Sequence, residues 1–134
     1  MNDRKETRFK ILFIDDEPHI LRALEREFYN QTAYNFTYVS DDRKAYNLVQ
    51  KEEFAIVISD YLMPYYKGTE ILAKVYEHSP RTRRILLTGF AEVASQHISQ
   101  PEQLIHQYIE KPWDKQKLLQ CLDEEIILYQ SWPK

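Results

Sequence analysis

Five short apolar runs rich in β-branched residues, each followed by a longer stretch of helical periodicity, leave this chain few folds to choose from. The first run, Lys10-Ile11-Leu12-Phe13-Ile14, is apolar at both side-chain parities, the pattern of a strand covered on two faces. Pro18 follows where a helix can start. Ile20, Leu21, Leu24 and Phe28 then recur at helical spacing among Arg22, Glu25, Arg26 and Glu27, which predicts a helix running to about Asn30. The pairing repeats as a strand over 35–39 and a helix capped by Asp41 or Asp42, with Ala45, Leu48 and Val49 turned inward. A strand over 54–59 and a helix over 69–78 come next, then a strand over 84–87 and a weaker helix over 92–99. The last pair is a strand over 104–109 and a helix capped by Asp114, with Leu118, Leu119, Leu122, Ile126 and Tyr129 on one face. Parallel strands need crossover connections and helices are the usual crossover, so five such units predict a doubly wound α/β fold with helices on both faces of a parallel sheet.

Composition narrows the function classes. A chain of 134 residues, 43% hydrophobic and 29% charged, is the size of one domain and has no stretch of roughly 20 apolar residues that could span a membrane. Residues 1–8 are expected to be an N-terminal tail, 9–130 the domain, and 131–134 a C-terminal tail or the start of a linker. The charged N-terminus lacks the apolar core of a secretory signal, so the expected compartment is the cytoplasm. A net charge of −3 gives no bulk attraction for nucleic acid or for an anionic membrane. The single cysteine, Cys121, has no partner for an internal disulfide and is expected to pack on a helix. Arg81, Arg83 and Arg84 read as a solvated loop before a strand. His19, His78, His97 and His106 match no metal-ligand spacing and are expected at the surface.

In doubly wound sheets functional groups collect beyond the carboxyl ends of the strands, at the switch in strand order; for the order 2-1-3-4-5 that point lies between strands one and three. Strand one ends in Asp15-Asp16-Glu17 and strand three in Ser59-Asp60, so folding brings at least three carboxylates to one rim. Acids at strand ends are also ordinary helix caps, but together they repel, and a hard divalent cation such as Mg²⁺ would remove the conflict. The ends of strands four and five add Thr88 and Lys111. A hydroxyl can bond a phosphoryl oxygen, and an ammonium can neutralise charge when phosphate arrives on a carboxylate. The chain's only glycines flank the same region: Gly89 follows Thr88, and Gly68 lies in the loop after Met63-Pro64, both suited to strain or close backbone approach.

Through Phe13-Ile14-Asp15-Asp16-Glu17, Ser59-Asp60-Tyr61-Leu62-Met63-Pro64, Leu87-Thr88-Gly89 and Tyr108-Ile109-Glu110-Lys111-Pro112, the chain resembles the CheY-like receiver domains of two-component response regulators over about residues 9–130. The resemblance implies a flavodoxin-like (βα)5 three-layer sandwich and a signalling domain, not an enzyme, that catalyses only its own phosphorylation and dephosphorylation. It implies that Asp60 accepts a phosphoryl group from the phosphohistidine of a sensor kinase or a phosphotransfer protein. Asp15, Asp16, Asp60 and the Leu62 carbonyl would hold Mg²⁺, or Mn²⁺ in its place. Thr88 and Lys111 would contact the phosphoryl group, and the Lys111-Pro112 bond is expected cis, X-Pro bonds being the ones where cis costs little. Tyr108, three residues before Lys111, would turn inward as Thr88 is drawn toward phosphate.

Leu62 and Phe90 lie two residues beyond Asp60 and Thr88 and flank the site with apolar groups. They offer nothing to orient an attacking water, so a long-lived phosphorylated state is expected. Lys111-Pro112-Trp113-Asp114 is similar to the version of this motif in receivers attached to HD-GYP phosphodiesterases and some kinases. Few residues follow Tyr129, so the expected outputs are an attached domain in a longer chain, a separate partner, or a homodimer, each read through the strand-five face and its flanking helices. Two rival readings carry less. An Asp-nucleophile hydrolase of the haloacid dehalogenase type wants a second Asp two residues after the nucleophile, where Leu62 or Glu17 stands instead. A receiver-like binding module that is never phosphorylated would lack one of the five polar groups, and all five are present.

Overall fold

A computed structural model describes residues 8–89 and 103–133 of the chain. Its elements are β1 (Phe9–Ile14), α1 (Pro18–Phe28), β2 (Tyr34–Val39), α2 (Asp42–Leu48), β3 (Ile56–Asp60), α3 (Gly68–His78), β4 (Arg83–Gly89), β5 (Gln107–Lys111) and α4 (Lys115–Gln130). The helix expected over 92–99, Phe90, His97 and most of the N-terminal tail lie outside the described residues.

Five parallel strands pair in the order β2-β1-β3-β4-β5, as the doubly wound reading requires. Alternation within β1 then builds two cores. Ile11 and Phe13 face α1 and α4, packing with Leu21, Leu24, Phe28, Leu118, Leu122 and Ile126. Leu12 and Ile14 face the other way, against Ala45, Val49, Ile71, Leu72 and Val75. The sheet is thus the middle of three layers, and burying each such side chain contributes about 1.5–3 kcal/mol, offset by the entropy of ordering it.

The departures from expectation have local causes. Pairing in β5 starts at Gln107 opposite Ile85, not at residue 104, and Leu104 and Ile105 are buried in the approach to the strand. Apolarity marks burial, whereas a strand begins where the backbone finds a ladder partner. Of the two candidate caps, Asp41 is the one that caps α2, accepting the Arg43 N–H at 2.9 Å. As expected of that face of α4, Leu119, Tyr129 and the half-buried Cys121 pack against the same core as Leu118, Leu122 and Ile126.

The arginine cluster does not form a solvated loop. Arg83 and Arg84 belong to β4, and Arg84 is 2% exposed. Its guanidinium donates to the carbonyls of Pro80 (3.0 Å), Thr82 (2.7 Å), Gln103 (3.0 Å) and Leu104 (2.7 Å) and lies over the Tyr76 ring. A rigid fork of donors replaces the backbone bonds that an irregular segment cannot make for itself. His106 is half-buried rather than out at the surface, and its Nδ1 accepts the Arg84 N–H at 3.0 Å.

Candidate functional site

The register between strands determines what meets at the rim. Ile14 pairs with Ser59, Asp60 with Leu87, and Gly89 with Lys111, so the chain leaves β1, β3, β4 and β5 at nearly one level. Asp15, Asp16, Asp60, Thr88 and Lys111 emerge there together.

Asp15 is 1% exposed, and its Oδ1 accepts the Glu17 N–H at 3.0 Å, turning the chain into α1. Carboxylate oxygens of Asp15, Asp16 and Asp60 lie within 4.8 Å of one another. Lys111 reaches between two of them, its Nζ 2.9 Å from Asp15 Oδ2 and 3.0 Å from Asp60 Oδ1. Burial pushes the Asp60 carboxyl up to about 6, the Asp15 charge adds to the rise, and Lys111 opposes it. Burial by itself would lower the pKa of Lys111, but its two carboxylate partners outweigh that and raise it.

One cation facing three carboxylates leaves the rim short of positive charge. The oxygen donor set suits a hard divalent ion, and a cation beside Asp60 would offset the burial and the Asp15 charge that raise its pKa. Thr88 points to a further ligand, because its side chain is buried at 1% exposure and Oγ1 has no hydrogen-bond partner among the described residues. An unsatisfied buried hydroxyl costs about 1–3 kcal/mol, which an incoming acceptor oxygen would offset.

The loop between β3 and α3 closes over the same rim. The Gly68 N–H donates to the Tyr61 carbonyl at 2.7 Å, and a Cβ at Gly68 would sit 2.0 Å from the Asp60 carbonyl oxygen. Close approach therefore requires this glycine, and neither glycine has a positive φ. Gly89 simply ends β4 opposite Lys111. Leu62 is half exposed beside Asp60 in sequence, and Lys111-Pro112 is cis. Tyr108 is 47% exposed on β5, lining an open groove of about 330 Å³ with Pro112, Trp113 and Lys117.

Three contacts around the rim were not legible in the sequence. The Ser59 hydroxyl donates to the Asp60 carbonyl at 2.9 Å. Trp113 Nε1 donates to Glu27 on α1 at 2.7 Å, joining the segment after β5 to the helix after β1. Asp42, 2% exposed, accepts the N–H groups of Tyr65 (2.7 Å) and Tyr66 (2.8 Å). Two acids in succession where one cap suffices was the signal available for Asp42.

Similarity to known proteins agrees with this geometry. The chain is 29% identical over 119 residues to the hydrogenase transcriptional regulatory protein HoxA of Bradyrhizobium diazoefficiens, covering 89% of the chain and 24% of that protein. It is 29% identical over 85 residues to the response regulator receiver protein CpdR of Brucella abortus, covering 63% of the chain and 70% of that protein. The chain thus spans about a quarter of the length of the HoxA relatives it matches. Among solved structures, the signal receiver domain of an HD domain-containing protein from Pseudomonas fluorescens Pf-5 superposes with a TM-score of 0.79 at 31% identity, covering 93% of this chain and 99% of that one. A CheY-like receiver domain protein from Methanospirillum hungatei JF-1 superposes at 0.81 with 24% identity, over 92% of this chain and 97% of that one, and shows the same fold. The model of the response regulator receiver domain matches residues 11–123, from within β1 to within α4, and the chain belongs to that family of two-component signalling domains.

Proposed function

We propose that this receiver domain is switched by transfer of a phosphoryl group to Asp60. One observation carries the reading: the Asp60 carboxylate is held 3.0 Å from the Lys111 ammonium within a cluster of acids that lacks enough positive charge, beside a Thr88 hydroxyl with no partner among the described residues. In the reaction an Asp60 oxygen attacks phosphorus in line, the P–N bond to the donor histidine breaks, and the imidazole leaves with the electron pair and takes up a proton. Lys111 neutralises the charge added to Asp60, and Thr88 donates its hydroxyl to a phosphoryl oxygen. Asp15, Asp16, Asp60 and the Leu62 carbonyl would hold Mg²⁺ or Mn²⁺, which supplies charge neutralisation for the transferred group.

The acyl phosphate adds charge and strong acceptors at the rim, so it favours whichever arrangement brings Thr88 inward. Tyr108, half exposed on β5, then turns toward the space Thr88 leaves. The β5 face and its flanking helices would pass that change to an output domain, a separate partner or a second copy. In the cytoplasm, a sensor histidine kinase or phosphotransfer protein would be the donor, and residues 9–130 are the unit that responds.

Intact-mass measurement after incubation with acetyl phosphate and Mg²⁺ tests the proposal, with Asp60→Asn as control. A single phosphoryl adduct that disappears in the variant is expected. Turnover without an adduct would point to a hydrolase, and no reaction at all would leave a binding module.

A further inference from the structure

The Asp42 carboxylate has no part in the chemistry above, yet it is among the most buried acids in the described structure, at 2% exposure. Asp41 already caps α2, so Asp42 is free of that duty. Its Oδ2 accepts both the Tyr65 and the Tyr66 N–H, across 23 and 24 residues of sequence. At 2.7 and 2.8 Å both are short, well-formed hydrogen bonds.

Those two amides are the fifth and sixth of the seven residues that join Asp60 to α3. Its end is closed by the Gly68 N–H on the Tyr61 carbonyl, and the Lys67 N–H is taken by Glu70 at 2.8 Å. Among the described residues, Asp42 supplies the only hydrogen bonds to the backbone of residues 62–66. Aromatic contacts reinforce the grip from the same helix: the Tyr46 ring stacks on Tyr66 with centroids 3.9 Å apart, and the Arg43 guanidinium lies 4.1 Å from the Tyr65 ring centre. Leu62, whose carbonyl completes the proposed metal ligands, lies within this segment, three residues before Tyr65.

We infer that Asp42 is a positioning residue of the metal centre: by holding the Tyr65 and Tyr66 amides it fixes the segment after Asp60 so that the Leu62 carbonyl is presented to the cation. The inference rests on the metal-binding reading given under Proposed function. The alternative, that Asp42 only stabilises the fold, makes a different prediction, because a general stabiliser would not act selectively on cation affinity. The N–H bonds need an acceptor oxygen at Oδ2, not a negative charge, so an amide oxygen can stand in for it.

The test measures the Mg²⁺ dissociation constant by titration calorimetry on the whole chain for Asp42→Ala, Asp42→Asn and Ile126→Ala, with amide exchange of residues 62–67 alongside. Ile126 is buried in the other core, against α1 and α4, and Ile126→Ala controls for lost stability. Asp42→Ala is expected to weaken Mg²⁺ five- to tenfold and speed exchange in the segment. Asp42→Asn should recover to within twofold, and Ile126→Ala should leave the affinity unchanged. Should Asp42→Ala not fold, Asp42→Ser, too short to reach both amides, is expected to weaken Mg²⁺ at least threefold. Unchanged affinity in folded Asp42→Ala or Asp42→Ser overturns the inference, as does equal weakening by Ile126→Ala. Failure of the unaltered chain to bind Mg²⁺ would overturn the metal reading itself and this inference with it.

Discussion

At the scale of single residues, the site depends on which atoms are allowed to come close. Gly68 makes the point without any charge: the backbone of α3 passes so near the end of β3 that a methyl group would overlap the Asp60 carbonyl at 2.0 Å. Gly68→Ala must therefore push apart two backbone segments rather than a flexible side chain. We expect it to cost about 3 kcal/mol, at the upper end for overpacking, read as a lower urea midpoint with an unchanged slope. That glycine was visible in the sequence as one of two, but a turn and a close contact ask for the same residue there. The acids, Thr88 and Lys111 were legible because each sits where an apolar run stops. Asp42 was not, because its partners are backbone groups, which leave no mark on residue type.

At the scale of elements, β4 and β5 are joined below the site by an unusual pair of side chains. Arg84 binds four carbonyls and no carboxylate, and burial brings its pKa down to about 10. The His106 ring lies against it, one nitrogen accepting the Arg84 N–H and the other 3.3 Å from the guanidinium. Burial, then the charges of Arg83 and Arg84, lower its pKa from the usual 6.5 to about 4. The unfolded chain therefore takes up this proton first on acidification, so the stability contributed by neutral His106 is present above about pH 6.5 and is lost as pH falls toward 4. Full linkage between about pH 7 and 5 would approach 2 kcal/mol, and partial solvent contact reduces this to about 1 kcal/mol. Urea unfolding at both pH values should show the unaltered chain losing about that much more than His106→Gln. In sequence, Arg84 reads as part of a solvated loop and His106 as a surface residue because charge usually marks solvent; the exception arises where irregular backbone needs buried donors.

For the whole molecule, the order β2-β1-β3-β4-β5 puts the carboxylates of β1 and β3 on adjacent strands and makes their repulsion a property of the folded state alone. A cation that relieves it binds the native chain and not the unfolded one, so Mg²⁺ should stabilise the fold by about 1.4 kcal/mol at ten times its dissociation constant. Denaturant titration with and without Mg²⁺, at matched ionic strength, should show this increment in the unaltered chain and lose it in Asp15→Asn. The alternation of apolar runs with amphipathic stretches was enough by itself to determine the fold class, the strand count among the described residues and the rim on which chemistry gathers. Periodicity and strand ends are local, and a parallel sheet leaves little freedom in how such units connect. Only the tertiary structure decided that Lys111 spans Asp15 and Asp60, that Gly68 touches the Asp60 carbonyl, that Arg84 is buried, and that α2 grips the segment after Asp60 through Asp42. These are contacts between residues far apart in the chain, often with one partner in the backbone, and their geometry comes into being only when the layers pack.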